Sequence, residues 1–145
     1  MSGGWLWTGM AFGLALASQG EAGVHNYRVA IPAALTTRQT HLIIRELEVP
    51  SNRSAIFRVC IIGENGDTTY LGSTAVVAMA PKATGMTRHK LLRIDVTSGL
   101  RAWSAKRSSP DSADVRIVPK DGRGRVLTDL KWLAREVELV HPDSP

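Results

Sequence analysis

Short β-type runs separated by turn residues fill the chain from residue 40 to residue 140. Within most runs apolar and polar residues alternate, which places one face of a strand in a core and the other in solvent. Gly, Pro, Asn and Asp stand between the runs, and these residues end strands and form turns. No helical pattern of about 10–15 residues separates successive runs, which disfavours a parallel α/β sheet. We therefore predict an all-β fold, an antiparallel β-sandwich of about six to seven strands with one short helix.

The alternation also predicts which side chains form the core. Eight inward positions are assigned on this basis: Phe57, Val59, Ile61, Leu92, Ile94, Val96, Val115 and Ile117. Residues 64–67 read Glu-Asn-Gly-Asp, and Asn-Gly accepts the positive φ angles of a tight hairpin. The return strand is predicted over residues 68–79, and its second half, apolar on both faces, is predicted to be covered.

Three local patterns carry further predictions. The alternation changes phase near Arg45 and Glu46, which indicates a β-bulge. Thr97 is predicted to cap the short helix, in which Leu100 and Trp103 lie one turn apart. Residues 121–125, Asp-Gly-Arg-Gly-Arg, have the composition of an anion-binding loop, but we interpret them as a hairpin turn.

Composition limits the class of protein. A chain of 145 residues, 43% of them hydrophobic, suits one domain with a substantial core. The 18 Lys and Arg residues exceed the 13 Asp and Glu residues and give a net charge of +5, but the basic residues are scattered, so nucleic-acid binding is not predicted. Cys60 is the one cysteine, so no intramolecular disulfide forms, and its apolar surroundings predict a buried thiol.

The N-terminus permits more than one interpretation. Residues 5–17 are mostly apolar, too few to span a bilayer, and Ala15-Leu16-Ala17 resembles a signal-peptidase site. No Lys or Arg precedes Arg28, although export signals normally begin with positive charge, so a mis-assigned start or the remnant of a longer protein stays open. We predict a signal peptide and linker over residues 1–26, a sandwich domain over 27–140 and a tail over 141–145. A genuine signal would imply a secreted or periplasmic protein without a transmembrane span.

No residue pattern predicts catalysis, a metal site or a cofactor. The four histidines are far apart, with no His-x-x-x-His pair: His25, His41, His89 and His141. A coupled copper site requires about six imidazoles held close together. The chain also contains no Gly-x-Ser-x-Gly elbow, no phosphate-binding loop and no Cys-x-x-Cys.

Several segments nevertheless resemble one family, in the family's order. They are residues 41–50, residues 55–62, Tyr70-Leu71-Gly72-Ser73-Thr74, Ile94-Asp95-Val96-Thr97 and Val115-Arg116-Ile117-Val118-Pro119. Together they resemble the β-sandwich domain that follows the copper domain in tyrosinases and polyphenol oxidases. Ile94 stands where that family has Phe in a Phe-Asp-Val-Thr signature. The resemblance covers residues 40–140, and the family's copper-binding histidine motifs have no counterpart.

The resemblance implies a non-catalytic accessory or shielding domain that packs on a separately encoded, tyrosinase-like copper oxidase. In the family this domain covers the copper site, and a bulky side chain can occupy the substrate entrance. The resemblance also implies structural roles for four residues, Ile94, Asp95, Val96 and Thr97. Tyr70 is the candidate for the entrance-plugging residue, because Phe57 is predicted to lie in the core. Such a domain is expected to expose an apolar patch on one sheet face.

A second function remains open, a stand-alone extracytoplasmic β-sandwich that binds carbohydrate or another surface ligand. Such a module would use a concave face lined by aromatic rings. Beyond the N-terminal run the chain supplies five: Tyr27, Phe57, Tyr70, Trp103 and Trp132. An autonomous enzyme has no residue constellation in its support.

Overall fold

The computed structural model describes residues 18–19, 22–35, 37–79, 84–106 and 110–142. The predicted signal segment and its cleavage site lie outside these residues. The described strands and helix are, in chain order, β1 (Ser18–Gln19), β2 (His25–Ala30), β3 (His41–Pro50), β4 (Ala55–Ile62), β5 (Thr68–Val76), β6 (Met86–Asp95), α1 (Thr97–Ser104), β7 (Ser112–Lys120) and β8 (Glu136–Val140).

Two antiparallel sheets face each other. The larger sheet has the order β1-β2-β7-β4-β5 and the smaller has the order β6-β3-β8. In the described parts of the chain, β1–β2 and β4–β5 are the sequence neighbours that pair, and the other connections cross between the sheets. The predicted all-β sandwich with one short helix is confirmed, with seven longer strands and the two-residue β1.

The core lies between the sheets and contains the predicted side chains. Seven of the eight are buried, and Leu92 is partly buried against the same cluster. Leu100 and Trp103, which lie one turn apart on α1 as predicted, are both buried in the core. Tyr27 is buried too, and its hydroxyl bonds both backbone polar groups of Ala134, at 3.3 Å to the oxygen and 3.2 Å to the nitrogen. Burial raises the pKa of Tyr27 to about 12.

Both predicted turns are confirmed. Gly66 has a φ of 87° in the β4–β5 hairpin, and Asp67 N–H donates to Asn65 Oδ1 at 3.3 Å. In the turn after β7, Asp121 Oδ1 accepts hydrogen bonds from the backbone N–H groups of Arg123 and Arg125 at 2.8 and 3.0 Å. These bonds lower the pKa of Asp121. The loop's own carboxylate therefore occupies the position that a bound anion would take.

The prediction that the second half of the return strand is covered is wrong. β5 ends at Val76 and is an edge strand of the larger sheet. Beyond it Val77 and Met79 are exposed over 72% and 70% of their surface. An apolar run on both faces indicates coverage only while the strand stays between neighbours, and here the chain has already left the sheet.

The predicted bulge near Arg45 is also wrong, although the change of phase is real. Arg45 pairs with Leu91 and Leu47 pairs with His89, so both strands advance by two residues and no residue has been inserted. Glu46 instead has a φ of 52°, in the left-handed region. That conformation turns the strand, so that Ile44 and Leu47, an odd number of residues apart, both face the core.

The domain also begins earlier than predicted. β2 starts at His25, two residues before the predicted boundary at residue 27, and Val24 is already buried. β1, which lies within the predicted linker, pairs with β2. Part of the predicted linker is therefore part of the larger sheet.

The helix packs against the edge strand at a glycine. A Cβ on Gly99 would lie 2.6 Å from the carbonyl oxygen of Tyr70 and 2.9 Å from the Cα of Leu71. Both atoms belong to the backbone of β5 and cannot move aside as a side-chain end would. Gly99 therefore permits the contact that seats Leu100 and Trp103 in the core.

We expect Gly99→Ala to destabilise the domain by about 1–3 kcal/mol, because the added methyl overlaps the β5 backbone. The direction of the stability change is informative, because helix propensity alone would make the Ala variant more stable than the wild type by about 1 kcal/mol. Urea unfolding followed by circular dichroism measures the change. Ser98→Ala, at the exposed neighbouring position, is the control and should stay within about 0.5 kcal/mol of the wild type. A more stable Gly99→Ala protein would contradict the close packing.

Candidate functional site

The family-like segment Ile94-Asp95-Val96-Thr97 lies where β6 passes into α1. Asp95 Oδ1 accepts hydrogen bonds from Thr97 N–H at 3.0 Å and from the Thr97 hydroxyl at 2.6 Å. Asp95 Oδ2 accepts from Gln39 Nε2 at 3.1 Å. The bonds from Thr97, and then that from Gln39, lower the pKa of the Asp95 carboxyl.

The predicted capping role of Thr97 is wrong. Thr97 is the first helical residue, and Val96, at the N-cap position, makes no side-chain capping bond. The Thr97 hydroxyl instead accepts a hydrogen bond from the backbone N–H of Thr40 at 3.0 Å, and the Thr40 carbonyl accepts from Val96 N–H at 3.1 Å. Thr40 is buried and immediately precedes β3. These hydrogen bonds thus connect the start of α1 to the start of strand β3 in the smaller sheet.

Tyr70 lies on β5, with its ring on the outer face of the larger sheet and 46% of its surface exposed. The Arg58 guanidinium carbon stands 4.2 Å from the ring centroid, a cation–π contact. The Tyr70 hydroxyl lies 2.8 Å from the hydroxyl of Ser73. The ring is therefore held along the sheet surface and is accessible from outside.

The structure brings the β5 segment and the family-like segment together where the backbone of Gly72 meets the side chain of Ile94. The register between β4 and β5 shifts at Val59 and Cys60, which gives β5 one extra residue there, Leu71. Just beyond it, a Cβ on Gly72 would lie 2.7 Å from Cγ2 of Ile94. Tyr70 thus presents its backbone to α1 and its ring to solvent, and its role as an entrance plug stays a prediction.

The four histidines occupy separate places. His25 stacks on Trp132 at 4.1 Å between ring centroids, and burial lowers its pKa. His41 lies on β3 and His89 on β6. His141 sits between two backbone carbonyls, with Nδ1 3.0 Å from the oxygen of Gln39 and Nε2 2.5 Å from that of Ala33. Within the described residues no three His, Cys, Asp or Glu side chains are grouped so as to hold a metal ion.

Sequence reasoning did not find a polar cleft on the smaller sheet. The cleft has a volume of about 580 Å³ and is lined by Arg45, Glu46, Lys90, Leu91, Arg135 and Glu136. It crosses the sheet at the level of Glu46, where β3 changes phase. Arg45 lies 3.6 Å from Glu136 and 3.0 Å from Glu138, so part of the cleft's charge is neutralised internally.

Large exposed apolar side chains occur in three regions of the described structure. Ile56 and Tyr70 lie on the larger sheet, Leu91 and Leu133 on the smaller, and Val77, Met79 and Met86 near one end of the sandwich. Of the five aromatic side chains considered for carbohydrate binding, Tyr70 is exposed and the other four are buried. In the described part of the chain, therefore, no face is lined by several aromatic rings. None of the described helices is long and apolar enough to cross a membrane.

We expect replacing Asp95 by Asn to narrow the stability difference between neutral and acid pH. A carboxyl whose pKa is lowered by folding stabilises the folded state above its unfolded pKa of about 3.9, and this contribution is lost as the pH falls through the lower folded value. The Asn variant should thus be less stable than the wild type at pH 7, by an amount that shrinks below about pH 4.

Urea titrations of both proteins, from pH 7 to below about pH 4, measure how the difference in their unfolding free energies changes with pH. Glu64→Gln, in the exposed hairpin turn, is the control that removes one carboxylate without these bonds. A loss of stability in Asp95→Asn that stays the same at every pH would contradict the role of the charge.

Comparison with known proteins supports one structural relationship. No protein-family model and no curated protein matches the chain. Among solved structures, latent aurone synthase, a polyphenol oxidase, from its natural source matches with a TM-score of 0.54 at 16% identity, over 88% of this chain and 28% of that chain. Recombinantly expressed latent aurone synthase matches with a TM-score of 0.53 at 16% identity, over 86% of this chain and 25% of that one.

The chain thus spans about a quarter of the length of the proteins that it matches. This extent is consistent with the C-terminal domain of such a protein alone. At 16% identity the likeness concerns the fold. The chain has, over most of its length, the fold of one part of latent polyphenol oxidases, which confirms the resemblance seen in its sequence.

Proposed function

We propose that this chain is a non-catalytic shielding or accessory domain that packs on a separately encoded, tyrosinase-like copper oxidase. One observation carries the proposal: the fold match takes in 86–88% of this chain and only 25–28% of the polyphenol oxidases. A unit that is part of one long chain in those proteins would here act as a partner in trans.

The names of the matched proteins support a shielding role. Both are latent forms of aurone synthase, and the part of each that this chain matches belongs to the latent protein. By analogy the sandwich would cover the oxidase's substrate entrance while bound. An extracytoplasmic meeting place, which rests on the predicted signal segment, is part of the same proposal.

Tyr70 is the residue that we assign to the entrance in this proposal. It is the exposed aromatic side chain of the described domain, and Arg58 and Ser73 hold it in one orientation. A fixed ring loses little conformational entropy on binding, which favours its use as an anchor. The carbohydrate-binding alternative has less support, because Tyr27, Phe57, Trp103 and Trp132 lie in the core.

The test uses an oxidase from the same genome that has the copper-domain histidine motifs and no sandwich of its own. Added in increasing amounts, this chain should lower the rate of catechol oxidation to a plateau, because it covers the substrate entrance. Light scattering after size exclusion should show a 1:1 complex. The chain alone with copper should oxidise catechol no faster than free copper.

Tyr70→Ala separates plugging from binding. We expect this variant to bind the oxidase more weakly and, even when enough is added to saturate the oxidase, to leave more residual activity than the wild type. Tyr70→Phe, which keeps the ring, should inhibit like the wild type. A wild-type chain that elutes apart from the oxidase and leaves its activity unchanged would reject the proposed function.

A further inference from the structure

The outer face of the larger sheet brings together three cations and three apolar or aromatic side chains. We name it the basic face and define it by Ile56, Arg58, Tyr70, Arg116, Val118 and Lys120. In an antiparallel pair, directly opposite residues share a face of the sheet. Their common orientation follows from the strand register.

The register places these residues side by side. Arg58 on β4 lies opposite Val118 on β7, and two residues away Ile56 lies opposite Lys120. Arg116 on β7 and Tyr70 on β5 both lie opposite Cys60 of β4. The cations and the apolar groups therefore alternate across three adjacent strands.

The three cations of the basic face have no carboxylate partner among the described residues. Arg58 contacts the Tyr70 ring, and Arg116 Nε donates to the amide oxygen of Asn26 at 3.2 Å. Asp114, further along β7, is already paired with Arg28 at 3.2 Å. The positive charge of the basic face is therefore available to another molecule.

The outer face of the smaller sheet is organised differently. Arg45 pairs with Glu136 and Glu138, at 3.6 and 3.0 Å. Arg88 pairs with Glu46 and Glu48, at 3.4 and 2.7 Å. Much of the charge on that face is neutralised by its own neighbours. Four carboxylates thus lie among the cations of the smaller sheet, whereas none of the six residues that define the basic face is acidic, and this difference selects the basic face as the candidate docking surface.

We propose that the basic face docks an acidic surface of a protein partner. Charge complementarity favours carboxylates opposite Arg58, Arg116 and Lys120, while Ile56, Tyr70 and Val118 supply apolar contact. Arg and Tyr are enriched among the residues that dominate protein interfaces. Identifying this partner as the copper oxidase rests on the proposed function, whereas the assignment of the face does not.

Two other occupants fit less well. A symmetric second copy would place the same cations against one another. A single-stranded nucleic acid would stack successive bases on several aromatic rings, whereas the basic face carries one such ring, Tyr70, which Arg58 already contacts. Both occupants are outcomes that the test can report.

The first test uses a random copolymer of glutamate and tyrosine as an acidic protein-like probe. Amide chemical shifts in β4, β5 and β7 should change on titration, and the affinity should fall as salt is added. The double variant Arg58→Glu, Lys120→Glu should weaken binding about tenfold or more. The matched control is Lys90→Glu, Arg93→Glu, which makes the same charge change at two exposed positions on β6 of the other sheet. It should bind within about twofold of the wild type.

Four results would overturn the assignment. Equal weakening in both double variants would mean that net charge alone attracts the copolymer. Chemical-shift changes confined to β3, β6 and β8 would place binding on the other sheet. Tighter binding of single-stranded DNA of equal charge, or a concentration-dependent dimer that the basic-face variant abolishes, would identify a different occupant. Unfolding curves of both variants, expected within about 0.5 kcal/mol of the wild type, confirm that they are folded.

The second test repeats the comparison with the copper oxidase. Loss of the complex in the basic-face variant but not in the control supports the face and the proposed function together. Equal binding of both variants overturns the face as the oxidase contact while the proposed function stands. An oxidase that does not bind the wild type removes the proposed function, and the copolymer titration then decides the basic face by itself.

Discussion

The close approach of α1 to the edge strand β5 determines how the sandwich is closed. α1 carries the chain from the smaller sheet to the larger one and places Leu100 and Trp103 between them. This position requires a residue without a Cβ at Gly99, because the β5 backbone occupies the space. The start of α1 is fixed in turn by Thr97, which binds Asp95 and Thr40. The family-like segment is thus explained by packing and hydrogen bonding at a connection between sheets, which is a structural role.

Local signals were sufficient to predict most of the fold. The alternation of residues 55–62 set the buried side of β4, and Asn65-Gly66 set the hairpin that follows. These predictions were correct because each depends on residues that are adjacent in sequence. The prediction that the strand is covered beyond Val76 was wrong, because coverage depends on neighbouring strands and β5 lies at the edge of its sheet.

Other features depend on contacts that the sequence does not display. Thr97 was predicted to cap a helix, but its hydroxyl binds Thr40, which is 57 positions away. Glu46 changes the phase of β3 through one left-handed backbone conformation, where a bulge was the usual explanation of the pattern. The cation–π contact of Tyr70 with Arg58 requires the register of β4 and β5. Long-range register is the information that separates a candidate surface from a set of scattered residues.

The net charge of +5 is interpreted differently when the outer faces of the two sheets are considered one at a time. In the sequence the basic residues are spread along the chain and favour an ordinary solvated surface. In the fold, carboxylates neutralise Arg45 and Arg88 on one outer face, whereas Arg58, Arg116 and Lys120 on the other have no carboxylate partner among the described residues. In the proposed shielding role, the domain would have to bind firmly enough to cover the oxidase's substrate entrance and yet be removable. Contacts between exposed charges suit this requirement, because salt and pH weaken them while the apolar core that holds the sandwich together is unaffected.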